Sequence, residues 1–146
     1  IEVQYSVDTQ DYLRNYCLEN GFDLSTRFNG RTQPVMAFDF HTTVWFTTNA
    51  VIIPLGVQPI EIDDVIPTGF ALFGEAENIL VLEIESQRLQ LLRDSFGETY
   101  ALEDEWPDYR PHISLSYNFQ GPLPEIDLPD GDQIQGAGLY VKNQKR

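Results

Sequence analysis

Residues 110–119, Arg-Pro-His-Ile-Ser-Leu-Ser-Tyr-Asn-Phe, alternate strictly between apolar and polar from the histidine onward. A period of two belongs to a β-strand with one buried face, and a slip of one residue in register would turn every side chain over. The pattern therefore expects Ile113, Leu115, Tyr117 and Phe119 toward a core, and His112, Ser114, Ser116 and Asn118 toward an open face. The chain's other histidine, His41, opens a similar stretch, with Thr42, Val44 and Phe46 expected inward and His41, Thr43 and Trp45 outward. Both histidines thus begin a His-x-(Ser/Thr) triplet. Ser and Thr make up roughly a tenth of the chain, so chance would supply both triplets about once in a hundred.

The elements around these strands repeat. Residues 1–7 alternate as a half-buried strand, Asp8 is the expected N-cap, and Tyr12, Leu13, Tyr16 and Cys17 recur at helical spacing up to Asn20-Gly21. Residues 22–35 read as irregular, with a turn at Asn29-Gly30, and the first histidine strand is expected over 35–46. A Val-Ile-Ile run follows at 51–53, then short strands over 60–66 and 69–73 broken by Pro67. Residues 79–84 form the most apolar strand. Ser86 caps the next helix, Leu89, Leu92 and Phe96 line one stripe, and Gly97 is the expected stop. An acidic loop over 103–108 leads into the second histidine strand. A Pro-rich acidic turn at 121–132, a last strand ending near Val141 and a basic tail close the chain. Strand, capped helix, glycine stop, loop and histidine strand therefore occur twice. That order predicts an α+β fold, a single domain over 1–146, in which two similar lobes face each other and contribute one histidine each to a shared cleft.

Charge narrows the partners. Nine Lys and Arg against 23 Asp and Glu give a net charge of −14, which supplies no basic stripe for a long nucleic-acid backbone. A small phosphate ligand needs only one or two local cations. Cys17 is the lone cysteine, so no internal disulfide or cysteine zinc site is available and a reducing, cytoplasmic setting is expected. No apolar run has membrane-span length and no signal-peptide pattern opens the chain.

Two imidazoles across a cleft suit phosphodiester cleavage. The neutral one takes a proton from the attacking hydroxyl, and the protonated one gives a proton to the leaving oxygen. A hydroxyl two residues along the strand lies about 6–7 Å further on the same face. From there Thr43 and Ser114 are expected to hydrogen-bond the non-bridging phosphate oxygens. The chemistry needs no metal or other cofactor; a competing zinc site would require a third ligand at recognisable spacing, where the sequence offers only scattered carboxylates. Trp45, Tyr12 and Tyr109 are candidates to stack on a base, and Arg110 is the nearest candidate cation for a phosphate. Arg27 and Arg31 occupy a loop that could fold over the cleft.

His41-Thr42-Thr43-Val44 and His112-Ile113-Ser114-Leu115 resemble the paired signatures of the two-histidine phosphoesterase superfamily, which includes RNA-ligase-like 2′,3′-cyclic phosphodiesterases. Thr42 departs from the apolar residue usual at its position. The resemblance runs from Ile1 to about Phe119 and implies a bilobal, pseudo-symmetric fold of two antiparallel sheets around a central cleft, with helices outside and metal-independent catalysis by His41 and His112. Within the superfamily, length, acidity and histidine spacing are similar to the phage anti-CBASS nucleases. That similarity implies cleavage of 3′–5′ bonds in cyclic di- or trinucleotide immune signals in the host cytoplasm. The alternatives are a 2′,3′-cyclic phosphodiesterase acting on RNA ends and a module of the same fold that sequesters nucleotides without turnover. Oligomeric state is left open.

Overall fold

A computed structural model of the chain describes residues 1–45, 56–100 and 108–141. The expected Val-Ile-Ile run, Phe46, most of the acidic loop and the basic tail lie outside the described residues. The architecture is α+β, with two helices and two antiparallel sheets. The first sheet holds β1 (Glu2–Tyr5), β2 (His41–Thr43), β3 (Gly56–Ile62) and β7 (Gly136–Val141), in the order β2-β1-β7-β3. The second holds β4 (Ile66–Phe73), β5 (Ile79–Glu85) and β6 (His112–Ser116), in the order β4-β5-β6. In each sheet the histidine strand is an edge strand, paired antiparallel with the strand that precedes the helix: β2 with β1 across α1 (Val7–Glu19), and β6 with β5 across α2 (Gln87–Tyr100). The two edges, β2 and β6, lie against each other.

Local chemistry accounts for the boundaries. The N-cap of α1 is Ser6, whose hydroxyl accepts the Thr9 N–H at 3.2 Å, so the expected cap at Asp8 falls two residues inside the helix. Asp8 instead places its carboxylate in the first turn, where the helix dipole favours it. The strand expected over 35–46 shrinks to three residues. Val35–Ala37 form a 3-10 turn in which the Pro34 and Val35 carbonyls take the Ala37 and Phe38 N–H groups, and side chains of α1, rather than a neighbouring strand, reach the Met36, Phe38 and Phe40 backbone. Arg14 donates to the Met36 and Phe38 carbonyls, and the Gln10 amide exchanges two hydrogen bonds with Phe40, at 2.7 and 2.9 Å. Backbone groups satisfied in this way have nothing left to offer a ladder.

In α2 the Ser86 cap forms as expected, its hydroxyl accepting the Leu89 N–H at 3.1 Å. Gly97 does not end the helix, which continues to Tyr100. The glycine is there for space: a Cβ at 97 would lie 2.8 Å from the Trp45 ring. Pro67 does not break a strand either. It lies within β4, an edge strand, at a register shift against β5; Pro59 occupies the matching kind of place in β3. Edge strands with bulges are where a residue lacking an N–H is tolerated. The core between sheets and helices includes Val3, Leu13, Phe38, Phe40, Leu80, Leu82, Leu89, Ile113 and Leu139. Cys17 is buried in it, and burial pushes its thiol up to about 12, so it packs as an inert apolar group. Among the described residues no helix is long and apolar enough to cross a membrane.

Candidate active site

The pairing of β1 with β2 puts Glu2 opposite Thr43 and Gln4 opposite His41. These four share one face of the sheet, while Val3 and Thr42 turn into the core. Thr42, polar where an apolar residue is usual, meets the Tyr5 hydroxyl at 2.6 Å, so its burial leaves no group unsatisfied. Burial pushes that tyrosine's pKa above its ordinary range.

His41 is held between carboxylates. Its Nε2 lies 3.3 Å from Glu2 Oε2, across the diagonal of the strand pair. Its Nδ1 lies 3.3 Å from the Asp39 carbonyl and 3.6 Å from Asp39 Oδ2. Every one of these partners accepts when ionised, so both ring nitrogens have a use for a proton. Burial works against the charge, but the hydrogen bond to Asp39 and the charges of Glu2 and Asp39 outweigh it and hold the His41 pKa above its usual value. Glu2 is itself 7% exposed, which keeps water from screening the pair.

His112 is set differently. Its Nδ1 approaches the Arg110 carbonyl at 2.8 Å. A carbonyl only accepts, so the neutral ring carries its proton on Nδ1 and leaves Nε2 bare. Burial lowers its pKa, the contact with Arg110 partly compensates, and the His41 charge lowers it further. The Phe73 ring meets His112 edge-on, with centroids 4.6 Å apart.

The alternation of 112–119 fails after Leu115. Opposite β6, β5 steps from Val81 to Leu80 while β6 steps from Ser114 to Ser116, a bulge that reverses the faces beyond it. Ser116, expected outward, is fully buried and donates to the Asp23 carbonyl at 2.9 Å. Tyr117, expected inward, packs its ring on the core ring of Phe38, with centroids 5.4 Å apart, and is partly buried, with its hydroxyl close enough to Ser114, Asp39 and Glu2 to feel them. Burial and those two carboxylates raise its pKa. Tyr117, Glu2 and Asp39 are thus site residues that reading the sequence missed. Asp39 is two residues before His41, while Glu2 becomes a neighbour only through strand pairing.

The other expected residues divide. Tyr109 reaches the first histidine strand, its hydroxyl donating to the Thr43 carbonyl at 2.8 Å, and so ties the two sheets together beside the site. Trp45 does not share the open face. The strand ends at Thr43, and the indole, 7% exposed, packs on α2 with its N–H on the Arg93 carbonyl at 2.9 Å and the Arg93 guanidinium 3.7 Å over its ring. A ring closed in on α2 has no face left for a base. Arg110 is bound to Glu83 at 2.8 and 3.1 Å and lies over Phe73, behind the ring that touches His112. Its charge is matched before any phosphate arrives. Tyr12 accepts the Asp130 N–H at 2.7 Å, with no contact to either histidine among the described residues.

Glu2, Asp39 and His41 also offer three possible metal-ligand atoms within 4.8 Å of one another, the third-ligand geometry that sequence spacing did not reveal. The raised pKa of His41 favours an imidazolium between the two carboxylates, which would supply the positive charge of that cluster.

The fold and site define a class: an α+β protein with two antiparallel sheets whose histidine edge strands, each bearing a His-x-(Ser/Thr) triplet, meet at one site. The family model of the anti-CBASS protein Acb1 matches residues 12–140, and the chain belongs to that family. Its role is therefore anti-CBASS, a phage evasion of bacterial immunity.

Proposed function

We propose that the chain is a metal-independent phosphodiesterase of the two-histidine type, opening 3′–5′ bonds of cyclic di- or trinucleotide signals inside the infected cell. The observation that carries this reading is the unequal setting of the two imidazoles: His41 between carboxylates, His112 on a carbonyl. The inequality supports a division of roles. His112, neutral with a bare Nε2, is the base that takes the proton of a ribose 2′-OH. The 2′ oxygen bonds to the adjacent phosphorus, the P–O5′ bond breaks, and His41 gives its Nε2 proton to the departing O5′. A 2′,3′-cyclic phosphate is left on one side and a 5′-hydroxyl on the other. The leaving oxygen takes the place that Glu2 occupies at Nε2. Thr43 and Ser114, the latter beside the Tyr117 hydroxyl, hydrogen-bond the phosphoryl oxygens as negative charge builds.

The test is incubation with cyclic dinucleotides, cyclic trinucleotides and an RNA ending in a 2′,3′-cyclic phosphate, in excess EDTA, with products separated by chromatography. Cleavage of the cyclic nucleotides is expected to survive EDTA. It is expected to fall by about 10²–10⁴ in His41→Ala and in His112→Ala, with ligand binding retained. Cleavage of the RNA end alone would move the activity to the chemistry of RNA repair. Binding without turnover of any substrate would leave a sequestering module.

A further inference from the structure

Residues 25–33 form a hairpin whose tip is Arg27-Phe28-Asn29-Gly30-Arg31, closed by the bridge between Thr26 and Thr32. The tip is well defined. The Arg27 N–H donates to the Arg31 carbonyl at 2.7 Å, the Arg31 N–H to Asn29 Oδ1 at 3.1 Å, and Gly30 takes the positive φ of 83° that the turn requires. Its base is anchored to β6. Asp23 accepts from Ser25 and Thr26 through its carboxylate, and from Ser116 through its carbonyl. The tip therefore holds a fixed position relative to the strand that carries His112 and Ser114.

Two features of the tip have no structural use. Phe28 is 77% exposed, touching the Tyr117 ring edge-on with centroids 5.9 Å apart. The Tyr117 hydroxyl in turn lies close to Ser114. An aromatic that adds little to the core, one ring away from the catalytic hydroxyl, is an open stacking face. The arginines are the second feature. Among the described residues Arg14, Arg88 and Arg110 are paired with carboxylates and Arg93 donates to the Val44 carbonyl, whereas Arg27 and Arg31 make no side-chain hydrogen bond or ion pair. Two unmatched guanidiniums flanking an exposed aromatic, in a chain of net charge −14, are a local reversal of sign.

We infer that this tip is the subsite for the part of a cyclic oligonucleotide that is not being cut: Phe28 stacks on a neighbouring base, and Arg27 and Arg31 neutralise a second phosphate. The inference rests on the proposed function and adds its specificity. A ligand with one phosphodiester engages only the histidine pair, whereas a ring with two or more must place its remaining phosphate beside a cation, and Arg110 is already bound to Glu83.

The experiment compares a cyclic dinucleotide with a linear ribodinucleoside monophosphate, which has the same scissile bond and no second phosphate. Variants are Phe28→Ala, Phe28→Tyr and the double change Arg27→Gln with Arg31→Gln, all at exposed positions, with folding checked by thermal melts. The expected result is a KM for the cyclic dinucleotide raised roughly tenfold or more in Phe28→Ala and in the double variant, with kcat held within about twofold. Phe28→Tyr is expected to behave as the parent. For the linear dinucleotide, the Arg variants are expected to leave KM unchanged. Unaltered KM for the cyclic ligand in both Phe28→Ala and the double variant would overturn the subsite while leaving the proposed function standing. Should the parent turn over neither ligand, the proposed function fails by itself, and affinity for the cyclic dinucleotide by calorimetry decides the subsite. Loss of affinity in the tip variants supports it; equal affinity, or none in the parent, overturns it.

Discussion

A general acid must hold its proton until the leaving group needs it, and a general base must begin without one. In the proposed mechanism this difference between His41 and His112 comes from neighbours rather than from the imidazoles. Glu2 and Asp39 favour the charged form of one; burial and the nearby His41 charge disfavour it in the other. The sign of the pH dependence follows. Activity is expected to rise as pH passes upward through the lowered pKa of His112, and to fall as pH passes upward through the raised pKa of His41, with a plateau between. Glu2→Gln removes one of the charges that raise His41, so the alkaline limb is expected to move to lower pH while the acid limb moves less. A kcat/KM profile of parent and variant checks this. A fixed alkaline limb would mean that His41 is not the acid. The two His-x-(Ser/Thr) triplets and the strands that carry them were legible in the sequence. Glu2 was not, because a carboxylate 39 residues away in sequence becomes a neighbour only when β1 pairs with β2.

At the scale of the element, the Gly97 reading failed because packing decided against local propensity, and the Pro67 reading because an edge strand with a bulge tolerates a missing N–H. Gly97 inside α2 forfeits about 1 kcal/mol of helix propensity relative to alanine. A Cβ there would press 2.8 Å from the Trp45 ring, against a side chain fixed by its hydrogen bond and by Arg93. Gly97→Ala is therefore expected to destabilise the fold by about 1–2 kcal/mol despite its better propensity, as overpacking outweighs the gain. Urea denaturation of the two proteins measures it; a stabilised variant would show that the ring can yield. The bulge in β6 is a second example. Period-two alternation located the strand and the outward facing of His112 and Ser114, but not the extra residue at Leu115 that turns Ser116 into the core.

For the whole molecule the decisive contact is between the two sheet edges, β2 and β6. Three side chains secure it: Tyr109 on the Thr43 carbonyl, Arg93 on the Val44 carbonyl, and Trp45 beneath Arg93. The Arg93 guanidinium is sandwiched between the Trp45 and Tyr109 rings, 3.7 and 4.1 Å from their centroids. Arg93→Ala is expected to cost about 3 kcal/mol, from a buried charged hydrogen bond and two cation–π contacts. It is also expected to lower kcat more than it raises KM for substrate, because it loosens the strand that carries His41 and Thr43. Denaturation midpoints together with steady-state kinetics test both halves. Neither residue announces this role in the sequence, where Arg93 reads as an ordinary helix residue and Trp45 as a candidate to stack on a base.

The sequence by itself determined the strands that carry His41 and His112, the Ser86 cap, the apolar β5 and the strand–helix–strand order that occurs twice. Periodicity and capping act over a few residues, so they can be read from a few residues. Only the tertiary structure decided which groups surround each imidazole, how far the first histidine strand runs, and which aromatics lie open. Those outcomes depend on which backbone groups α1 satisfies, which strand edges meet and where a bulge reverses a face. All three are fixed by contacts between residues tens of positions apart, whose competition no local pattern records.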